Sequence, residues 1–255
     1  MRKWAVAVAA VLLPSLGYAQ NDNIGTIISI EGEHRIDKKW SASMDIEMRT
    51  RNALGDVKRL SAGISLSYKI CPWLKADAGY TFIGDHRRRV SHYDEGDRDV
   101  VKGLAEVGAP KNRRIFWGMR HRTHASLTAT WKTGNFKLSL RERWQYTYRP
   151  EQIVEGRYNY CYDKTDNAPH HYPTKVTNML RSRIHAEYKI DSSPATPYVS
   201  LETFNAWKLK KVRCTAGVEW KLRKGHTIDT AYRYQHPTNG KQDSHYLCLA
   251  YKFKF

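Results

Sequence analysis

The amino-acid sequence predicts an all-β protein: an antiparallel, up-and-down transmembrane β-barrel of 10–12 strands, with short periplasmic turns and long extracellular loops. Three observations carry this. The chain opens with the pattern of an export signal, the remainder alternates apolar and polar residues with a period of two, and the connections are of unequal length. Composition excludes the main alternatives. The 255 residues are 41% hydrophobic and 27% charged, and a spanning helix needs roughly 20 consecutive apolar residues, a run that is missing after the signal. Eight Trp, 16 Tyr and 6 Phe supply too much apolar surface for a disordered basic tail.

The signal is read over residues 1–19. Met1 to Trp4 (MRKW) is a charged start, Ala5 to Leu13 (AVAVAAVLL) an apolar run too short to cross a bilayer, and small Gly17 and Ala19 precede a cleavage point before Gln20. The expected mature domain is 20–255. Losing Arg2 and Lys3 takes the formal charge from +18 to +16.

The strands follow in order. A weak alternation covers 24–35. In the next, Trp40, Ala42, Met44, Ile46 and Met48 share one face, and Ser41, Ser43, Asp45, Glu47, Arg49 and Arg51 share the other. A helix would mix these sets, whereas a strand sends successive side chains to opposite sides. Leu60, Ala62, Ile64, Leu66 and Tyr68 then oppose serines and Gly63; Leu74, Ala76, Ala78, Tyr80 and Phe82 oppose Lys75, Asp77 and Gly79. The same pattern continues at 114–132, 136–148, 177–190, 198–207, 211–221, 226–235 and 244–255, giving eleven segments. Glu142 is a misfit on the apolar face between Leu140 and Trp144.

Cys71-Pro72-Trp73, Thr133-Gly134-Asn135, Asp191 to Thr196 and Leu222 to Gly225 read as tight turns, whereas 85–113 and 149–176 read as long charged loops. This is the asymmetry of transmembrane barrels. Aromatic residues cluster at both strand ends (Trp40, Tyr68, Trp73 and Trp131 against Tyr80, Phe82, Trp117 and Trp144), as girdles at two lipid–water interfaces would. Bacterial single-chain barrels have even strand counts. Eleven segments therefore imply ten strands if 24–35 does not span, or twelve if one escaped notice.

The last segment places Leu247, Leu249, Tyr251, Phe253 and Phe255 on one face. It resembles the C-terminal signature of Gram-negative outer-membrane barrels, in which Tyr251, Phe253 and Phe255 would be read by the barrel assembly machinery. Further short motifs are Asn21-Asp22, Asp37 to Ser41 (DKKWS), Ala78 to Phe82 (AGYTF), Leu140 to Trp144 (LRERW) and Tyr251 to Phe255 (YKFKF). On these the chain resembles the exported outer-membrane family catalogued as domain of unknown function 2490. That resemblance implies a barrel in the cell outer membrane, embedded in lipid and lipopolysaccharide, and brings no assigned activity, cofactor or catalytic residue.

If the apolar faces meet lipid, the polar faces line the barrel. Arg120, Arg122, Arg141, Arg143, Arg181 and Arg183 then form a basic wall on three consecutive strands. Glu31, Glu33, Asp45, Glu47, Glu202, Glu219 and Asp229 form an acidic wall opposite, because the first and last strands are neighbours in a closed cylinder. Opposed walls allow two readings. A water-filled gap would pass small polar or anionic solutes; walls that meet would pair and close the lumen. Interiors of about 8 strands are filled and those of 16 or more are open, so both readings stay in play.

The alternative from another class is a lipid hydrolase of the phospholipase or lipid A deacylase type. His124 and Ser126 have the His-x-Ser spacing of such enzymes, but their phase puts them with the arginines. The loop histidines His86, His92, His170 and His171 have no diagnostic metal-ligand spacing. Arg87-Arg88-Arg89 could meet lipopolysaccharide phosphates. Cys71, Cys161, Cys214 and Cys248 are scattered and read as unpaired, with Cys214 and Cys248 on opposite faces. No nucleic-acid motif accompanies the positive charge, no cofactor is implied, and nothing specifies an oligomeric state.

Overall fold

The computed structural model describes residues 24–52, 54–240 and 242–255; the export signal expected over 1–19 lies outside them. Eleven long strands make the wall: β1 (Ile24–Arg35), β2 (Trp40–Arg51), β3 (Asp56–Cys71), β4 (Leu74–His92), β5 (Pro110–Thr133), β6 (Phe136–Arg149), β11 (Lys175–Tyr188), β12 (Ala195–Ala206), β13 (Lys208–Arg223), β14 (His226–Pro237) and β15 (Ser244–Lys254). Each pairs antiparallel with its neighbour in sequence, with β6 meeting β11 directly. Among the described residues no helix is long and apolar enough to cross a membrane.

The sheet closes between β1 and β15, and this pairing is parallel, from Ile24 opposite His245 to Glu33 opposite Lys254. The count is therefore eleven rather than the ten or twelve that an even rule requires. Both escapes from the odd count fail: 24–35 is a full strand, and no further long strand is present among the described residues. An odd cylinder forces its first and last strands to run the same way. Parallel bonds are evenly spaced but slanted and slightly weaker per residue, so the seam gains from what surrounds it. Phe255 donates its N–H to the Glu33 carbonyl at 3.0 Å and Arg35 donates to the Phe255 carbonyl at 3.2 Å. Lys254 Nζ lies 2.6 Å from Glu33 Oε2. On the outside the Phe253 ring covers Gly32, where an added Cβ would come within 2.7 Å of the ring.

The strands beside the long connections run further than the alternation suggested. β4 continues to His92 and β5 starts at Pro110, with pairing unbroken from Leu74–Ala129 to Arg88–Ile115 and beyond. What reads as a loop over 85–113 is mostly a projecting hairpin, capped by a short helix α1 (Arg98–Val101) and a Lys111–Asp97 ion pair. The segment after β6 carries four short strands: β7 (Gln152–Val154), β8 (Arg157–Asn159), β9 (Lys164–Asp166) and β10 (His170–Tyr172). There the Arg157 guanidinium beside Asp166 holds that carboxyl below the ordinary carboxylate range. The other connections at this end are short, and Trp207 alone, at φ 63°, turns β12 into β13. At the opposite end Asp37 Oδ1 accepts the N–H groups of Lys39 and Trp40, both at 2.6 Å, which fixes the β1–β2 turn.

The outside of the cylinder is apolar where the alternation placed it. Ile64 is 65% exposed and Val199 57%, values that make sense only if lipid rather than water covers them. Glu142 does point outward, and Ser182 Oγ, directly opposite it, donates to Glu142 Oε2 at 2.7 Å. All four cysteines are free; Cys214 is exposed and Cys248 faces inward, as their phases required.

Ile64 sits halfway along β3, opposite Met44 and Tyr80. Ile64→Arg should destabilise the barrel in phospholipid vesicles by about 2–4 kcal/mol in a urea titration, while Ile64→Leu should leave it nearly unchanged.

Candidate functional site in the charged lumen

Strand phase decides which charges the lumen receives, and register decides which of them meet. Arg141 and Arg143 on β6 stand directly opposite Arg183 and Arg181 on β11. Glu202 on β12 is opposite Arg183 on one side and Arg213 on the other. The result is a clasp. Arg141 and Arg181 each donate Nη2 to Glu202 Oε1 at 2.8 Å, and Arg213 donates Nη1 to Oε2 at 2.9 Å. The Phe204 ring, two residues on, lies against the same cations: the Arg181 and Arg213 guanidinium carbons are each 4.7 Å from its centroid and Lys211 Nζ is 4.1 Å away.

A second cluster forms on Asp77. Its Oδ1 lies 3.0 Å from His124 Nε2, accepts from Ser126 Oγ at 3.1 Å and from Arg143 Nη2 at 3.2 Å. His124 and Ser126 therefore bind the same carboxylate oxygen. A hydrolytic triad needs the imidazole between hydroxyl and carboxylate, so that it can take the hydroxyl proton. Here the carboxylate stands in the middle and the cluster faces the lumen, not lipid. This arrangement gives the hydrolase alternative no support.

Three further groups complete the lining. Near the long-connection end, Asp85 is bound by Arg59 at 2.7 Å, by Arg120 and, at 3.6 Å, by Arg87. Glu47 pairs with Arg49 at 2.6 Å on its own strand. Towards the other end, Lys252 Nζ joins Glu219 at 2.7 Å and Asp229 at 2.8 Å, with Glu31 opposite Lys252 across the seam. Among the described residues, Arg122 Nε donates to Thr147 Oγ1 alone, at 3.4 Å. Asp45 lies over Gly63, which has no side chain to displace it.

Register sets the arginines and carboxylates of both walls on the inner faces of their strands, but the two walls do not pair across the lumen. Among the described residues, each ion pair between barrel strands links positions on the same strand, on neighbours, or across one intervening strand. Glu202 belongs with the arginines and not opposite them. No motif in the sequence singles out Asp77 or Asp85. Phase alone put Asp77 inside, while Asp85 fell in a supposed loop, where no alternation pointed to it. Outside the lumen, His86 stacks on Trp117 at 5.2 Å, His170 packs on Tyr172 at 4.5 Å, and His171 Nε2 lies 2.6 Å from Glu151. Arg88 and Arg89 are exposed, and Tyr251, Phe253 and Phe255 line the outside.

The lumen is filled unevenly. In the half towards the long connections the inward side chains are buried: Ile83 is 1% exposed, Ile27 3%, Phe204 5% and Glu202 3%. In the other half a polar cavity of about 470 Å³ extends to Gly225 and Lys254, with Ser126, Arg141, Arg143 and Arg183 on its wall.

Removing one partner of a buried charge network leaves the others uncompensated, at about 3–5 kcal/mol. Glu202→Gln should lower stability by about that amount in a denaturant titration, and Arg213→Met in the same background should restore part of it.

The comparisons with known proteins bear on this geometry. The beta domain of the Bordetella autotransporter BrkA is similar over 85% of this chain and 83% of that one, at 13% identity and a TM-score of 0.52. The translocator domain of the autotransporter NalP from Neisseria meningitidis is matched over 84% and 73% at 9% identity, TM-score 0.47. The CymD monoaromatic hydrocarbon channel is matched over 87% and 84% at 9% identity, TM-score 0.39. At 13% identity the BrkA likeness is one of fold, that of a membrane barrel. No curated protein sequence matches. A family described as "Protein of unknown function (DUF2490)" matches residues 25–245, most of the barrel from its first strand to its last, and the chain belongs to that family.

Proposed function

We propose that the protein is an integral outer-membrane barrel of the closed kind: sealed in the half towards the long connections and opening as a polar vestibule at the short-turn end. It acts as a binding or structural barrel, and neither conducts solutes freely nor hydrolyses lipid. The observation that carries this reading is the near-complete burial of inward-facing Ile27, Ile83, Phe204 and Glu202. Residues lining an aqueous channel touch water; these are shielded from it. The arginine–carboxylate clasp and the Phe204 ring lie in the same region, so opening a path would separate charges as well as apolar contacts.

The outer membrane is the location that suits such a barrel. Its apolar band needs hydrocarbon, and barrels with a polar interior and short turns at one end stand there with those turns in the periplasm. The vestibule would then face the periplasm and the β4–β5 hairpin the outside. Lipid, and the lipopolysaccharide around the exposed Arg88 and Arg89, are the proposed neighbours.

The test is conductance in a planar bilayer. Wild-type protein, shown folded by heat-modifiable gel mobility, should be silent. The double variant Ile83→Gly, Phe204→Gly should show discrete steps, since it removes two large side chains from the sealed half. Discrete steps from the wild type would overturn the closed reading.

A further inference from the structure

The lumen carries more positive than negative charge where β6 meets β11. Arg141 stands directly opposite Arg183, and Arg143 directly opposite Arg181. Like charges facing each other across a strand pair are destabilising, and a burial-prone site sharpens the repulsion. Two carboxylates stand within ion-pair distance. Glu202 is shared among Arg141, Arg181 and Arg213, and Asp77 holds Arg143. Glu187, further along β11, is already bound by Lys137 and His185, both at 2.9 Å. Arg183 has no carboxylate within ion-pair distance among the described residues.

Hydrogen bonding points the same way. The Nε–H groups of Arg141, Arg143, Arg181 and Arg183 are buried and meet no acceptor among the described residues. A guanidinium has five N–H donors and no acceptor, so arginines cannot satisfy each other. Buried donors left without acceptors are costly. Arg141, Arg143 and Arg183 also border the vestibule, together with the hydroxyl groups of Ser126 and Thr128. Several guanidinium groups beside the Thr128 hydroxyl, at the end of a polar cavity, suit a compact oxyanion whose oxygens can each take a forked pair of N–H bonds.

We propose that the inner end of the vestibule is a binding site for a phosphate-type oxyanion, held by Arg183, Arg141 and Arg143 with Thr128, opposite Arg141, as a further donor. The proposal rests on the closed-barrel reading for the direction of access, since the ligand enters from the short-turn end. It deepens that reading by naming the chemical class bound.

Isothermal titration of the folded wild-type protein in detergent, with sodium phosphate against sodium chloride at matched ionic strength, tests it. Saturable binding of about one phosphate per barrel, not reproduced by chloride, is expected. Arg183→Gln should weaken it at least ~10-fold and Arg183→Lys by less, because a point charge keeps the attraction without the fork. Arg88→Gln, on the exposed hairpin, should bind as wild type. A second measurement needs no variant: the Nε–H resonances of isotope-labelled arginine should shift on phosphate addition. Folded wild-type protein that binds phosphate no better than chloride, an Arg183→Gln variant that binds normally, or arginine resonances that stay in place would each overturn the site. A conducting wild type that still binds phosphate through Arg183 would sink the closed reading and leave the site intact; a silent barrel without phosphate binding would do the reverse.

Discussion

Backbone hydrogen bonding in hydrocarbon is the constraint from which the rest of this structure follows. No water is present there to satisfy N–H and C=O groups, so a sheet can enter a bilayer only if it has no edge. Eleven strands meet that demand with one irregularity, a parallel seam between β1 and β15. The seam's neighbours are arranged accordingly: Phe253 lies over Gly32 on the lipid side, and Glu33 meets Lys254 on the inner side. Closure also fixes the lumen's width, and so the separation at which inward-facing charges must coexist.

That width turns an alternating sequence into an electrostatic problem. Each inward arginine keeps its charge, because a guanidinium does not give up its proton in a protein. The cylinder resolves part of the repulsion by sharing carboxylates: Glu202 among three arginines, Asp85 among Arg59, Arg87 and Arg120. Sharing one acid among several bases leaves a residual positive potential, concentrated where β6 meets β11. The apolar inward residues Ile27, Ile83 and Phe204 close the region above it, so that water and ions reach it only from the vestibule side.

The same geometry explains why His124 and Ser126 are not arranged for hydrolysis. A two-residue spacing on a strand guarantees a shared face and nothing more. On the lumen side that face meets β4, and Asp77, one strand away, takes both groups as donors to a single oxygen. Ser126 and His124 become part of the wall that orients Arg143.

Much of the architecture was legible from order along the chain. Alternation in segments such as Trp40–Arg51 fixes a strand and its two faces, because successive side chains point to opposite sides whatever the partner. It thereby sets Arg120, Arg122, Arg141, Arg143, Arg181 and Arg183 on polar faces and Glu142 on an apolar one. Order along the chain did not contain the seam, the extent of the β4–β5 hairpin, or the grouping of charges. The hairpin's outer residues Arg88, Arg89, Ser91 and His92 are exposed on both faces, so nothing selects an alternation there. The pairing of Glu202 with Arg141, Arg181 and Arg213 depends on register and on one strand lying between β6 and β12. Faces are a local property of the backbone; partners depend on how the closed sheet sets one strand against another, and that is decided only when the cylinder shuts.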